Sequence, residues 1–137
     1  MQISQVMTPD CEWITPDASV VDAAVRMRDQ DVGAVPVGDR VELLGVVTDR
    51  DIVVRAVAED APVHDTKVKE VMTDKVLYLF EDQTTDQAAR SMAETGVRRM
   101  PVVDRDKRLK GVVTIGDLAK AGEDAQAGDA LRQIAAA

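Results

Sequence analysis

The chain contains GVVTDRD at residues 45–51 and a close copy, GVVTIGD, at residues 111–117. Each copy is typical of an apolar strand that ends in threonine, followed by two residues and an aspartate. Val-Met-Thr at residues 6–8 likewise recurs at residues 71–73. These matches form an ordered series through both halves with a single one-residue shift, so they predict an internal duplication.

The duplication divides the chain into two similar parts. We place the repeats at residues 3–58 and 68–122, and the polar segment 59–67 is interpreted as the linker between them. Residues 123–137 are rich in alanine and predict a C-terminal helix or tail.

Within each repeat, the apolar spacing predicts a helix, two strands and a second helix. Asp17 or Ser19 is expected to cap the first helix, and Thr84 or Thr85 its copy. Short turns between the strands favour antiparallel hairpins. A unit of about 55 residues buries too little surface to be secure by itself. We therefore expect an α/β (α+β) fold in which two β-α-β-β-α repeats pack through their sheets about a pseudo-twofold axis. In the first repeat the helices fall at residues 18–30 and 49–59 and the strands at 33–37 and 43–47. In the second repeat the strands fall at residues 97–103 and 109–113 and the last helix at 115–122.

Composition excludes several classes of function. The formal net charge is −8 and aromatic residues make up 2% of the chain, which disfavours a general nucleic-acid binder. Cys11 is the single cysteine and His64 the single histidine, so neither a His/Cys zinc site nor a Cys-His catalytic pair is expected. The role of Cys11 stays open.

The sequence indicates neither a membrane-spanning segment nor a secretory signal peptide. No stretch approaches 18 apolar residues, and residues 1–7 contain no basic apolar run. We expect a cytoplasmic protein without membrane contact.

The Thr-x-x-Asp corners of the two repeats allow two interpretations. Thr48 with Asp51, and Thr114 with Asp117, have the spacing of a capping box, in which the two side chains satisfy backbone N–H groups. The same groups suit a nucleoside phosphate, because a carboxylate can accept hydrogen bonds from both ribose hydroxyls and the first turn of a helix favours an anion. Both interpretations stay open from the residues.

The basic residues near the corners are distributed unequally. Arg98-Arg99 precedes Met100-Pro101, whereas Gly33-Ala34 stands at the matching place in the first repeat. These arginines, and Arg50 inside the first corner, are either solvated or contact phosphate through the planar guanidinium. The contrast indicates that the two sites are not equivalent.

These motifs together resemble the CBS domain, named after cystathionine β-synthase. The resemblance is carried by Val-Met-Thr, the helix with two alanines and a methionine, the Pro-Val strand and Gly-Val-Val-Thr-x-x-Asp, and it covers about residues 3–122. Two tandem copies look like a stand-alone CBS pair, similar in overall pattern to the hypoxic response protein type.

The resemblance implies one or two clefts for AMP, ATP, NAD or S-adenosylmethionine, with no catalytic cofactor. Aspartate would hold the ribose and threonine would contact ribose or phosphate, while adenine would lie against the strand before the hairpin and the entry to each repeat. The ligand-binding residues implied here or indicated above are Thr15, Val35, Pro36, Thr48, Arg50, Asp51, Arg98, Arg99, Met100, Pro101, Thr114 and Asp117. The first corner carries Asp49, which would repel phosphate, and Arg50 would offset it.

Three hypotheses of function follow from these observations. The first is a regulatory module that senses an adenine nucleotide and acts through a homodimer built on CBS helices, or through a protein effector of unknown identity. The second is a structural or stress-response homodimer with degenerate, ligand-free sites. An enzyme is not expected, because the sequence shows no nucleophile with a base, no metal ligands and no P-loop.

Overall fold

The computed structural model describes residues 1–9, 12–39, 42–121, 128 and 130–134. The chain forms two compact units: a central unit, Glu12–Val76, and a terminal unit that joins Met1–Cys11 to Leu77–Ala137. The start of the chain therefore belongs to the same unit as the second GVVT segment. The repeat boundaries at 3–58 and 68–122 stay a prediction.

The fold alternates short helices with strands, as the sequence predicts. Most helices and strands begin or end within two residues of the predicted positions. The helix predicted over 49–59 differs, because α-helical bonding ends at Ile52 and a π-helical turn follows. In chain order the elements are a 3₁₀ turn (Ile3–Gln5), β1 (Thr8–Pro9), α1 (Val20–Gln30), β2 (Ala34–Gly38), β3 (Leu43–Thr48), α2 (Asp49–Ile52), the π turn (Val53–Val57), α3 (Val68–Val71), β4 (Leu79–Phe80), α4 (Thr85–Thr95), β5 (Arg99–Val103), β6 (Leu109–Thr114) and α5 (Ile115–Lys120).

The same strand arrangement occurs in each unit. The terminal sheet has the order β1-β6-β5-β4, with β5 and β6 antiparallel and β4 parallel to β5. In the central unit β2 and β3 form the antiparallel hairpin. A parallel bridge from Ile14 to Val37 and an antiparallel bridge from Val46 to Thr73 flank this hairpin, in the places that β4 and β1 occupy in the other sheet.

Each unit has its own core, in which Met27 of α1 and Met92 of α4 are buried. The segment 59–67 adds to the central core, because Ala61 and Val63 pack against it and Thr66 is buried. Residues 128 and 130–134 are helical, and Ala130 is buried in the terminal core. The remainder of the C-terminal helix predicted over 123–137 lies outside the described residues. The core residues are Ile14, Val20, Ala23, Met27, Val35, Val37, Val47, Ile52, Ala56, Val68 and Val71 in the central unit, and Ile3, Leu79, Ala88, Ala89, Met92, Met100, Val102, Val113, Ile115, Leu118 and Ala130 in the terminal unit.

Helices α1 and α4 begin and end by the same chemistry. The hydroxyl oxygen of Ser19 accepts a hydrogen bond from the Asp22 N–H at 3.0 Å, and that of Thr84 accepts one from the Gln87 N–H at 3.1 Å. Of the alternatives left open by the sequence, Ser19 and Thr84 are thus the N-caps.

The residues that end these helices provide a paired test of backbone strain. Asp31 closes α1 at φ 55° and Gly96 closes α4 at φ 74°, so both adopt the left-handed conformation. A side chain costs free energy there and glycine does not. We expect Gly96→Ala to destabilise the protein by about 1 kcal/mol. Asp31→Gly is expected to stabilise it by about 0.5 kcal/mol. Urea unfolding of both variants measures these changes, and shifts of the same sign in the two variants would contradict the explanation.

Candidate ligand-binding corners

We call residues 48–51 the first corner, in the central unit, and residues 114–117 the second corner, in the terminal unit. In the first, the Asp51 N–H donates to Thr48 Oγ1 at 3.0 Å and the Thr48 N–H donates to Asp51 Oδ2 at 3.0 Å. In the second, Thr114 and Asp117 make the same two bonds at 2.9 and 3.0 Å. Both corners are therefore capping boxes, so the capping interpretation is correct for each.

Packing fixes the position of each corner. Val47 and Val113 are fully buried one residue before the threonines, and Ile52 and Leu118 are buried one residue after the aspartates. The threonine and aspartate side chains are left half-buried at the ends of β3 and β6, where they can be reached from solvent. In both units, the buried neighbours therefore fix the position of the polar threonine and aspartate side chains at the edge of the core.

Capping does not use the full hydrogen-bonding capacity of these carboxylates. Oδ2 of each aspartate accepts the bond from the threonine N–H, and Oδ1 is the second acceptor oxygen. Among the residues that the structure describes, no cation pairs with Asp117. The capping and ligand interpretations are consequently compatible at the second corner.

Arg55 is a corner residue that the sequence interpretation missed. Its Nε lies 4.0 Å from Asp51 Oδ1, and its Nη1 donates to the Val71 and Met72 carbonyl oxygens at 3.3 and 3.2 Å. The four-residue spacing of Asp51 and Arg55 on one helix was the available signal. Ala121 stands at the matching position of the second repeat, so this interaction is specific to the first corner.

The strand that precedes each hairpin differs between the corners. Arg99 is the cross-strand partner of Thr114, whereas Ala34 is the partner of Thr48. The Arg98 carbonyl oxygen accepts the Ile115 N–H at 3.0 Å. Arg98 and Arg99 are exposed, and neither forms an ion pair within the described part of the chain.

In the first corner, the Gly33 carbonyl oxygen accepts the Asp49 N–H at 2.9 Å, so Gly33 takes the place of Arg98. The Asp49 side chain extends over this glycine, since a Cβ at Gly33 would lie 3.1 Å from Asp49 Oδ2. Asp49 Oδ1 accepts the Arg50 N–H at 2.8 Å, and the Arg50 side chain is exposed. The first corner thus carries a carboxylate beside Gly33, at the position where the second repeat has Arg98.

The residues expected near adenine occupy different positions. Val35 and Met100 are core residues, so they can face a ligand only through their backbone, and Pro36 and Pro101 are also buried. Thr15 is exposed on the segment that flanks β2. It follows Ile14, which bridges Val37, whereas Thr48 pairs with Ala34 on the other side of β2. Thr15 and Thr48 therefore lie on opposite edges of β2.

Two further features of the described residues are negative findings. Within residues 1–9, 12–39, 42–121, 128 and 130–134, no group of three or more His, Cys, Asp or Glu side chains could hold a metal ion. The helices within those ranges include none that could span a bilayer.

Comparison with known proteins agrees with this duplicated strand-helix architecture. Residues 3–65 and 68–124 both match the CBS domain family. YlbB of Bacillus subtilis, an uncharacterized protein, is 40% identical over 136 residues, which span 97% of this chain and 90% of YlbB. The crystal structure of Hypoxic Response Protein I with two coordinated zinc ions superposes with a TM-score of 0.80 at 30% identity, covering 88% of this chain and 98% of that one. CBSX2 in complex with AMP gives a TM-score of 0.77 at 29% identity, covering 91% and 98%.

The fold and the paired corners define a protein of two tandem β-α-β-β-α repeats. The chain belongs to the CBS domain family, and the resemblance inferred from the sequence is confirmed.

Proposed function

We propose that this chain is a cytoplasmic regulatory module that binds an adenine nucleotide or another adenosyl ligand at its Thr-x-x-Asp corners. AMP, ATP, NAD and S-adenosylmethionine are the candidate ligands. The binding residues are the set named from the sequence, in which aspartate takes the ribose, threonine takes ribose or phosphate, and the strands before the hairpins take adenine through their backbone. The module acts without catalysis.

The observation that carries this proposal is the second acceptor oxygen of each aspartate. Capping uses Oδ2 of Asp51 and Asp117. Oδ1 is the oxygen that a ribose hydroxyl would approach, and at Asp51 this oxygen also lies 4.0 Å from Arg55 Nε. The half-buried position of both side chains favours a ligand hydrogen bond over a bond to bulk water. The AMP complex of the structurally similar CBSX2 supports an adenosine ligand class.

Output passes through a homodimer or a protein effector, because a ligand can act by shifting the population between two conformations that a partner distinguishes. Three exposed valines of the π turn, which follows α2, support a homodimer formed through the CBS helices. Val53, Val54 and Val57 are 57%, 44% and 59% exposed, which is unusual for three large apolar residues within one helical segment.

We expect a double variant, Asp51→Asn with Asp117→Asn, to bind adenosyl ligands about 10- to 100-fold more weakly, since a hydrogen bond to a charged group is lost. Asparagine keeps one oxygen for the threonine N–H, so the capping box is largely retained. Isothermal titration with AMP, ATP, NAD and S-adenosylmethionine measures the change.

Thr84→Ala is the matched control, because it removes a helix cap outside the corners. It is expected to cost about 1 kcal/mol of stability and to leave ligand affinity unchanged. Unchanged affinity in the double variant would show that the ribose assignment is wrong.

A structural or stress-response homodimer with ligand-free sites is the second candidate. The observation that favours it is the complete pair of capping boxes, which gives Thr-x-x-Asp a structural purpose in both units. A thermal-shift panel separates the two candidates, because a ligand that binds only the native state raises Tm. No shift with any adenosyl ligand from a folded sample would favour the structural dimer, and a shift with them but not with GTP would favour the sensor.

A further inference from the structure

Arg55 joins the first corner to a second part of the central unit. Its Nε lies 4.0 Å from Asp51 Oδ1, and its Nη1 donates to the carbonyl oxygens of Val71 and Met72 at 3.3 and 3.2 Å. Those carbonyls lie at the C-terminal end of α3, where a helix has no partners of its own for them. One side chain therefore contacts both a free acceptor oxygen of the corner and the end of a neighbouring helix.

The second corner shows what Arg55 is not needed for. Ala121 stands at the matching position there, and the capping bonds between Thr114 and Asp117 are 2.9 and 3.0 Å long. Both capping bonds of the first corner are 3.0 Å long. The aspartate of such a box is thus oriented without an arginine. The distinct effect of Arg55 is to place a positive charge beside the oxygen that capping leaves free.

We propose that Arg55 is an autoinhibitory latch on the first corner. This regulation rests on the proposed function, in which a ribose hydroxyl donates to Asp51 Oδ1. The hydroxyl and the guanidinium then draw on the negative charge of one oxygen, so each weakens the hold of the other. Arg55 consequently lowers the affinity of the first corner for an adenosyl ligand. The second corner binds without this competition.

The latch gives the first corner an output of its own. Coupling between two contacts is reciprocal, so a ligand at Asp51 weakens the hold of Arg55 on the end of α3. The next residue, Thr73, exchanges two backbone hydrogen bonds with Val46, and the central unit ends at Val76. Residues 73–75 are exposed, so a partner can reach them. Occupancy of the first corner thus loosens the segment through which the chain leaves the central unit.

Adenosine is the probe for the test, because it carries the ribose and has no phosphate to attract Arg55. Asp117→Asn weakens the second corner, so isothermal titration on this background reports the first. Adding Arg55→Ala should tighten adenosine about two- to fivefold, the effect of removing an ion pair whose arginine is 52% exposed. Arg55→Lys should leave the affinity near that of the parent, because it keeps the charge.

Arg90→Ala is the matched control. Arg90 pairs with Asp86 at 3.7 Å with the same four-residue spacing, on α4 and outside both corners. Its removal should leave adenosine affinity unchanged.

A transplant tests the competition without altering Arg55. Ala121→Arg on an Asp51→Asn background gives the second corner the aspartate–arginine spacing of the first. It should weaken adenosine about two- to fivefold. Circular dichroism melting confirms that each variant is folded.

Hydrogen exchange measures the output of the latch. Saturating adenosine on the Asp117→Asn protein should speed amide exchange in residues 71–76 by up to the same two- to fivefold, about the factor by which Arg55 weakens the ligand. On the Asp51→Asn protein, where the second corner binds, adenosine should leave exchange in this segment unchanged.

The outcomes separate the latch from the proposed function. A folded Arg55→Ala protein that binds adenosine equally or more weakly at the first corner would overturn the latch and leave the adenosyl function standing. Exchange in residues 71–76 that responds equally to either corner would do the same. Absence of binding by any adenosyl ligand to the unaltered chain would overturn both.

Discussion

Replacing Gly111 by alanine is expected to lower the free energy of unfolding by about 3 kcal/mol, because the added methyl group has no space. A Cβ at this position would overlap the carbonyl oxygen of Thr8 and would lie 3.1 Å from the Met7 sulfur. The first contact is with backbone, which cannot move without separating β1 from β6. Ile3, which is fully buried in the terminal core, lies on the segment that would be displaced. Urea unfolding followed by circular dichroism measures the loss.

Gly116→Ala is the matched control within the same GVVTIGD stretch. Its Cβ would meet only the Thr114 hydroxyl oxygen, at an ordinary 3.5 Å, and the residue lies inside helix α5. Alanine is the better helix former, so this variant should be neutral or more stable by up to about 1 kcal/mol. A Gly111→Ala protein as stable as the Gly116→Ala protein would mean that β1 does not pair with β6 at this point.

The same contact explains why Val-Met-Thr and Gly-Val-Val-Thr occur together in each repeat. Thr8 pairs with Val112, and Thr73 exchanges two backbone hydrogen bonds with Val46, at 3.0 and 2.9 Å. A Cβ at Gly45 would lie 2.8 Å from the Thr73 carbonyl oxygen, which repeats the close approach seen at Gly111. Each Gly-Val-Val-Thr strand therefore pairs with the Val-Met-Thr segment of the other sequence repeat.

The pairing of each Gly-Val-Val-Thr strand with the Val-Met-Thr segment of the other repeat is a part of the fold that the sequence did not reveal. Periodicity and turn residues are local signals, and they were sufficient to predict both hairpins and the start of the helix after each. Which Val-Met-Thr segment pairs with which strand is a long-range choice between two identical motifs, so no local signal distinguishes them. The π turn after Ile52 was missed for a similar reason, since the sequence of residues 53–57 is compatible with an ordinary α-helix.

The corners were predictable in position and incompletely predictable in chemistry. Duplication identified Thr48, Asp51, Thr114 and Asp117, because a capping box and a ligand site share one sequence pattern. The unequal charge of the corners was visible in the sequence as Gly33-Ala34 against Arg98-Arg99. The interaction of Arg55 with the Val71 and Met72 carbonyls was not, because it joins residues 16 and 17 positions apart. The ligand-binding roles themselves stay predictions.

Leu118→Ala is expected to have the other large effect, a loss of about 2–5 kcal/mol, because it removes a fully buried side chain from the terminal core. Leu118 follows Asp117 directly and packs in the same cluster as Ile115, so it holds the first turn of α5 against the sheet. Its truncation leaves a cavity beneath the capping box. We therefore expect the variant to lose nucleotide affinity as well as stability, whereas its Thr-x-x-Asp residues are unchanged.

Lys120→Ala provides the control on the same helix. Lys120 is exposed, so its truncation should change stability by less than about 0.5 kcal/mol and leave affinity as it was. Urea unfolding and AMP titration of both variants give the two quantities. A Leu118→Ala protein that loses stability but binds AMP with unchanged affinity would show that Asp117 keeps its position without support from the core. A protein unchanged in both would contradict the burial of Leu118. The affinity measurement therefore tests whether packing beneath the corner, and not only the polar residues in it, determines how well the site is formed.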